Sequence, residues 1–305
     1  MSILVELPED QYREDAFAAF DPAGEFSIGT ARSMAWMSQL AYETRFPDKI
    51  ERIGGLWGLR EVRCLREPSG STLPMPRTRG VLAATDEATI LAFAGTDPLS
   101  LMNWITDFSL GRREAEIHKG FEAAAAAVWD ETGSVIGQSM AAGRRLFVTG
   151  HSLGAAIAAV TVDRAAGEVG LGRSQTYLLG CPRVGRAAFA ARYNEAFGAT
   201  TYRLVHGKDV VAAVPPPELD FRHVGRYLAC ARGGKFDPAD MLANADSDAP
   251  SPADEGVAGL FGRVAELVSG PLSRSPREDL LGQLSQILVP GIGDHLPDRY
   301  CAALG

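Results

Sequence analysis

Cysteine is scarce and scattered in this chain. Cys64, Cys181, Cys230 and Cys301 stand singly, without the density of a disulfide scaffold or the close pairs that bind zinc, and so read as buried thiols. The histidines (His118, His151, His206, His223 and His295) lack the His-x-x-x-His spacing that puts two ligands on one helical face, so no metal site can be named. Basic charge is in deficit. Thirty Lys and Arg against 38 Asp and Glu give a formal net charge of −8, the wrong sign for a chain whose partner is a phosphate backbone. Long apolar runs are missing too: nothing reaches the ~18 residues of a transmembrane helix. The N-terminal MSILVELPEDQYRED turns acidic before the apolar region of a secretory signal could form. These absences set the expectation of a cytoplasmic protein with no metal, no cofactor, no nucleic acid and no transmembrane segment.

Apolar material is plentiful, at 46% of 305 residues, enough for one large core, and a single domain over residues 1–305 is expected. Residues 28–45 place Ala31, Met34, Ala35, Ser38 and Ala41 at helical spacing. RGVLAAT from Arg79 and TILAFAG from Thr89 read as two strands about an Asp86-Glu87 turn. Residues 120–142 read as an alanine-rich helix. Strands follow at 146–149, 176–180 and 201–206, with helices at 155–166 and 187–197 between them. FRHVGRYLA, from Phe221, reads as another strand. This alternation predicts the α/β class: a central, mostly parallel sheet with helices on both faces. Residues 237–290, which include the linker-like NADSDAPSPADEG, read as an insertion.

One motif carries chemistry. Gly150-His151-Ser152-Leu153-Gly154 lies between a β-rich run and a helix of small residues, the context of a nucleophile elbow, in which serine sits on a strained strand-to-helix turn. The alternative is a glycine-rich turn whose serine merely caps the helix.

A serine hydroxyl needs an imidazole to take its proton, and the imidazole needs a carboxylate to hold one tautomer. The partners are sought in the order serine, acid, histidine. His118 precedes the serine, His151 lies inside the motif and His206 lies in a strand. His223 competes on order but falls within FRHVGRYLA, whereas His295 occupies the loop GIGDHLPDRY and is the preferred base. Asp209 follows a parallel strand, where open α/β sheets place their reactive groups, and is the preferred acid. Asp163, Asp220 and the acids of the insertion read as surface charges, and Asp294 cannot easily turn back on its own neighbour.

The chain resembles the class 3 lipases through ILAFAGTD (90–97), MNWITDF (102–108), IHKGFEAA (117–124), VTGHSLGAAIA (148–158), LLGCPRVGRAAFAARYN (178–194), YRLVHGKDVVAAVPP (202–216) and DHLPDRY (294–300), all in the family's order. The resemblance implies an α/β-hydrolase fold and a carboxylic ester hydrolase, with a triad of Ser152, Asp209 and His295. It also implies an oxyanion hole from the backbone N–H groups of Thr96 and Leu153. Two features depart from the family pattern. Ala94 stands where the family usually carries arginine, which leaves the hole without that residue's ion pair, and 86 positions separate Asp209 from His295.

The family's lid corresponds to DPLSLMNWITDF, where Leu101, Trp104, Ile105 and Phe108 share one helical face; the alternative is a helix packed permanently on the core. The expected substrates are acylglycerols or other fatty esters, with transient lipid-surface contact through the lid. Phospholipase A1 activity on the same triad and a non-catalytic lipase-like binding protein stay open as alternatives.

Overall fold

The structure is a computed structural model that describes residues 5–65, 78–96, 117–242 and 291–305. The expected lid residues Leu101, Trp104, Ile105 and Phe108, and all of the expected insertion beyond residue 242, lie outside the described residues.

Ser27 starts the first helix, its side chain accepting the Thr30 N–H at 3.1 Å, and α1 runs Ile28–Leu40. Its small residues let the helix lie close on the sheet, where Ser38 Oγ meets Thr149 Oγ1 at 2.9 Å. Helix α2 (Pro47–Leu56) opens with proline, where no N–H is needed. The strands β1 (Arg60–Leu65), β2 (Gly80–Ala84) and β3 (Ala88–Phe93) pair antiparallel in sequence. Next come α3 (Lys119–Ala127), α4 (Trp129–Ala141), β4 (Arg145–His151), α5 (Leu153–Glu168), β5 (Ser174–Leu179), β6 (Gly185–Arg186), α6 (Ala187–Phe197), β7 (Thr201–His206), β8 (Phe221–Arg222), β9 (Arg226–Cys230) and α7 (Pro297–Ala303).

From β3 onward the main sheet is parallel, in the order β1-β2-β3-β4-β5-β7-β9. The strand period of two feeds two cores. Leu91, Phe93, Leu146 and Val148 join Phe121, Ile136, Ala156 and Phe189 of α3 to α6 on one face. Ile90, Ala92, Phe147 and Tyr177 join Met34, Ile53 and Tyr300 of α1, α2 and α7 on the other. Among the described residues no helix is long and apolar enough to cross a membrane.

Two local expectations change. The 120–142 helix breaks at Val128 (φ −115°, ψ 10°) into α3 and α4. A run of alanine favours helix without an apolar stripe that fixes its direction, and the break lets Phe121 bury from one piece and Trp129 and Ile136 from the other. His223 is not in a strand. It sits between β8 and β9, which Gly225 separates with φ +78°, a conformation a β-strand cannot continue through.

Candidate active site

The parallel strands β3, β4, β5 and β7 end along one edge, and the residues that follow them converge there. Ser152, directly after β4, has φ 61° and ψ −130°, a conformation that a residue with a side chain holds only when its surroundings impose it. A Cβ on Gly150 would lie 2.2 Å from the Gly154 carbonyl oxygen, and one on Gly154 would lie 2.2 Å from that of Phe93. Both glycines are therefore dictated by the tightness of the turn. Ser152 precedes α5 but its hydroxyl makes no cap bond. Its Oγ is buried and unpartnered, so helix capping does not account for the serine.

Asp209 follows β7 and is fully buried. Its Oδ1 accepts the Val211 N–H at 2.8 Å, and its Oδ2 accepts from His295 Nδ1 at 2.8 Å and from the Tyr300 hydroxyl at 2.5 Å. Burial works against the charge, but the attraction of His295 and the hydrogen bonds from His295 and Tyr300 outweigh it, so the carboxyl sits below its usual range. An ionised Asp209 can only accept, which places the imidazole proton on Nδ1 and leaves Nε2 as a base. That Nε2 is buried and unpartnered, as is Ser152 Oγ.

Room for the Asp209–His295 pair comes from Gly180, at the end of β5. With φ +56°, a Cβ there would stand 2.6 Å from Asp209 Oδ2 and 3.0 Å from His295 Nδ1. The loop bearing His295 is fixed from the other side by His151. His151 Nε2 lies 2.6 Å from the His295 carbonyl oxygen and its Nδ1 lies 2.7 Å from the Tyr42 hydroxyl. A carbonyl only accepts, so Nε2 carries the proton and Tyr42 donates to Nδ1. Burial, and then the proximity of His295, push the His151 pKa well below its ordinary value, so His151 stays neutral beside His295.

The other candidates lie elsewhere or do other work. His118 opens α3 and accepts the Gly120 N–H, with its pKa lowered to about 4 by burial. His206 lies against the Asp294 carbonyl. Burial, and then the guanidinium groups of Arg203 and Arg183, push the His223 pKa well below its ordinary value, which disfavours the imidazolium that a general base must become. Asp294 pairs with Arg232 and accepts the Lys208 N–H, and Asp163 pairs with Arg192. Thr96 is buried beyond the end of β3. Leu153 is the first residue of α5, so its N–H has no intrahelical acceptor and points out of the positive end of the helix dipole.

Tyr42, His151, Tyr300 and Gly180 were assigned no role from sequence. For Tyr300 the signal was its place in DHLPDRY, five positions after His295; the others act through contacts distant in sequence. Replacing Tyr300 by phenylalanine removes one of the three hydrogen bonds to Asp209 and should destabilise the protein by about 1–3 kcal/mol near neutral pH. The depressed carboxyl pKa contributes stability above the unfolded value of about 3.9, which is lost as pH falls through the folded value. The Tyr300→Phe deficit, measured by urea unfolding, should therefore be constant near neutral pH and shrink in acid. A deficit that stays the same in acid would mean that the hydroxyl acts on something other than the Asp209 charge.

Comparison with known proteins adds its similarities. Residues 90–219 match the family described as Lipase (class 3), a stretch that holds Thr96, Ser152, Leu153 and Asp209 and ends before His295. The chain is 32% identical over 169 residues to a secreted mono- and diacylglycerol lipase of Fusarium solani, across 50% of this chain and 48% of that one. It is 34% identical over 167 residues to a lipase of Rhizomucor miehei, across 51% and 45%. The chain thus spans about half the length of these curated relatives. Lipase II from Rhizopus niveus superposes with a TM-score of 0.57 at 22% identity, over 74% of this chain and 92% of that one, which shows the α/β-hydrolase fold. The expectation of a cytoplasmic protein is overturned: relatives from Fusarium solani and Malassezia globosa are named as secreted. An N-terminal segment without a legible signal is not sufficient ground for a location.

Proposed function

From the class 3 lipase resemblance of residues 90–219, we propose that this chain is a serine ester hydrolase of the lipase type, acting on acylglycerols. One observation carries the reading: two buried, unpartnered atoms, Ser152 Oγ and His295 Nε2, occur in a site where His295 Nδ1 is held at 2.8 Å by an ionised Asp209. Leaving two polar atoms buried without partners costs about 1–3 kcal/mol each. Together with an imidazole held by a carboxylate, two such atoms suit a nucleophile and its base.

The chemistry follows in two displacements. Ser152 Oγ attacks the ester carbonyl carbon as His295 Nε2 takes its proton, and Asp209 stabilises the imidazolium. The carbonyl oxygen becomes an oxyanion facing the N–H groups of Thr96 and Leu153. The C–O bond to the alcohol then breaks as His295 returns the proton to the leaving oxygen. Water, activated by the same imidazole, hydrolyses the acyl-enzyme and frees Ser152. The names of the relatives point to mono- and diacylglycerols, and secretion is carried over with them.

The test is a substrate panel at equal acyl length: mono-, di- and triacylglycerol, a phosphatidylcholine, and a soluble p-nitrophenyl ester, with Ser152→Ala beside the wild type. Hydrolysis of the partial acylglycerols, absent in Ser152→Ala, is expected. Preferential release of fatty acid from the phospholipid would assign phospholipase A1 activity instead. No turnover of any ester would leave a non-catalytic binding protein.

A further inference from the structure

The turn that follows β3 poses a physical problem. An oxyanion donor is effective only if its N–H is already aimed where the charge will develop, and Thr96 follows β3 outside any helix or strand. Arg79, directly before β2, lies opposite the same turn. Its carbonyl accepts the Ala94 N–H at 2.9 Å, and its Nη2 donates to the Gly95 carbonyl oxygen at 2.9 Å. Its guanidinium carbon lies 5.4 Å from the centre of the Tyr42 ring, within cation–π range. Gly95 packs too close to the serine turn to carry a side chain, since a Cβ there would stand 2.6 Å from both Ser152 Cβ and the Tyr42 hydroxyl oxygen.

The Gly95 carbonyl and the Thr96 N–H belong to one peptide group. That group is planar, with its C=O and N–H pointing to opposite sides, so a side chain that grips the oxygen fixes the direction of the hydrogen. A cation on the oxygen also polarises the amide and makes its N–H a stronger donor.

We propose that Arg79 is the positioning residue of the oxyanion hole, orienting the Gly95–Thr96 peptide from its carbonyl side. This rests on the ester-hydrolase reading of the site. Tyr42, beneath the guanidinium, also donates to His151, which holds the His295 loop. Arg79 thereby braces the oxyanion turn against the residues that fix the base.

The experiment compares wild type, Arg79→Ala, Arg79→Lys and Ser152→Ala on a soluble p-nitrophenyl ester, with inhibition by an alkylboronic acid that mimics the tetrahedral intermediate. Arg79→Ala should lower kcat about ten- to a hundredfold, less than deleting a donor, with KM within about twofold of wild type. Boronate inhibition should weaken by a similar factor. Arg79→Lys should recover most of the loss, because an ammonium can still donate to one carbonyl. A fall in folding midpoint without a kcat effect, an effect confined to KM, or unaltered boronate inhibition in Arg79→Ala would overturn the inference. So would an Arg79→Lys that folds normally but stays as slow as Arg79→Ala. A wild type that turns over no ester, or a Ser152→Ala as active as wild type, is a different failure: it overturns the reading of the site itself.

Discussion

Ser152→Ala is expected to lower kcat for ester hydrolysis by about 10⁴–10⁶-fold while leaving the protein at least as stable as wild type. The first half follows from removing the nucleophile, after which only binding and the oxyanion donors remain. The second half comes from the geometry. Ser152 Oγ is buried without a partner and caps nothing, so its loss breaks no bond and removes a desolvation cost of about 1–3 kcal/mol. Alanine adopts φ 61° no more readily than serine does, so the strain of the turn is unchanged. A fluorophosphonate should label the wild type once and the variant not at all. Labelling that persists in Ser152→Ala, or a clear fall in its folding midpoint, would assign the serine a structural role.

His295→Ala should cost a comparable factor in kcat, and the Ser152→Ala/His295→Ala double variant should be no slower than either single one, because nucleophile and base act as a unit. Asp209→Ala should be about tenfold to a hundredfold milder, since it spoils the tautomer and orientation without deleting the base. Unlike Ser152→Ala, His295→Ala should also destabilise, because Asp209 loses the partner at 2.8 Å and a buried carboxylate is left with fewer donors. The control is His223→Ala. His223 is half-buried with an unpartnered Nδ1, but two nearby guanidinium groups oppose its protonation, so kcat should stay near that of the wild type. The assignment of the base is wrong if these two results are exchanged.

What could be read in the sequence was whatever carried its own local signature. The strand at 201–206 and the helix at 187–197 coincide with β7 and α6, because an unbroken β-rich run and a helical repeat each specify an element without outside help. Where local signals were weak, the reading slipped: a run of alanines did not reveal the break at Val128, and nothing but one glycine marked the gap that sets His223 between β8 and β9. The glycines around Ser152 were legible because their spacing repeats the geometry of one tight turn. The residues that brace the site were not. Tyr42 reaches His151 across 109 positions, and the Arg79 grip on Gly95 spans two neighbouring strands. Such contacts become visible only when the sheet register is known.

The residues nearest the C-terminus complete a site whose other parts stand far earlier in the chain. His295 meets Asp209 across 86 positions and His151 across 144, and Tyr300 meets Asp209 across 91. The strand that carries Ser152 pairs with its two neighbours across 57 and 28 positions (Ala88 with Arg145, Leu146 with Ser174). During synthesis, which proceeds from the N-terminus, Ser152 is made well before His295, its base in the proposed reading. On that reading the nascent chain carries a serine that cannot attack an ester until the segment bearing His295 has been made.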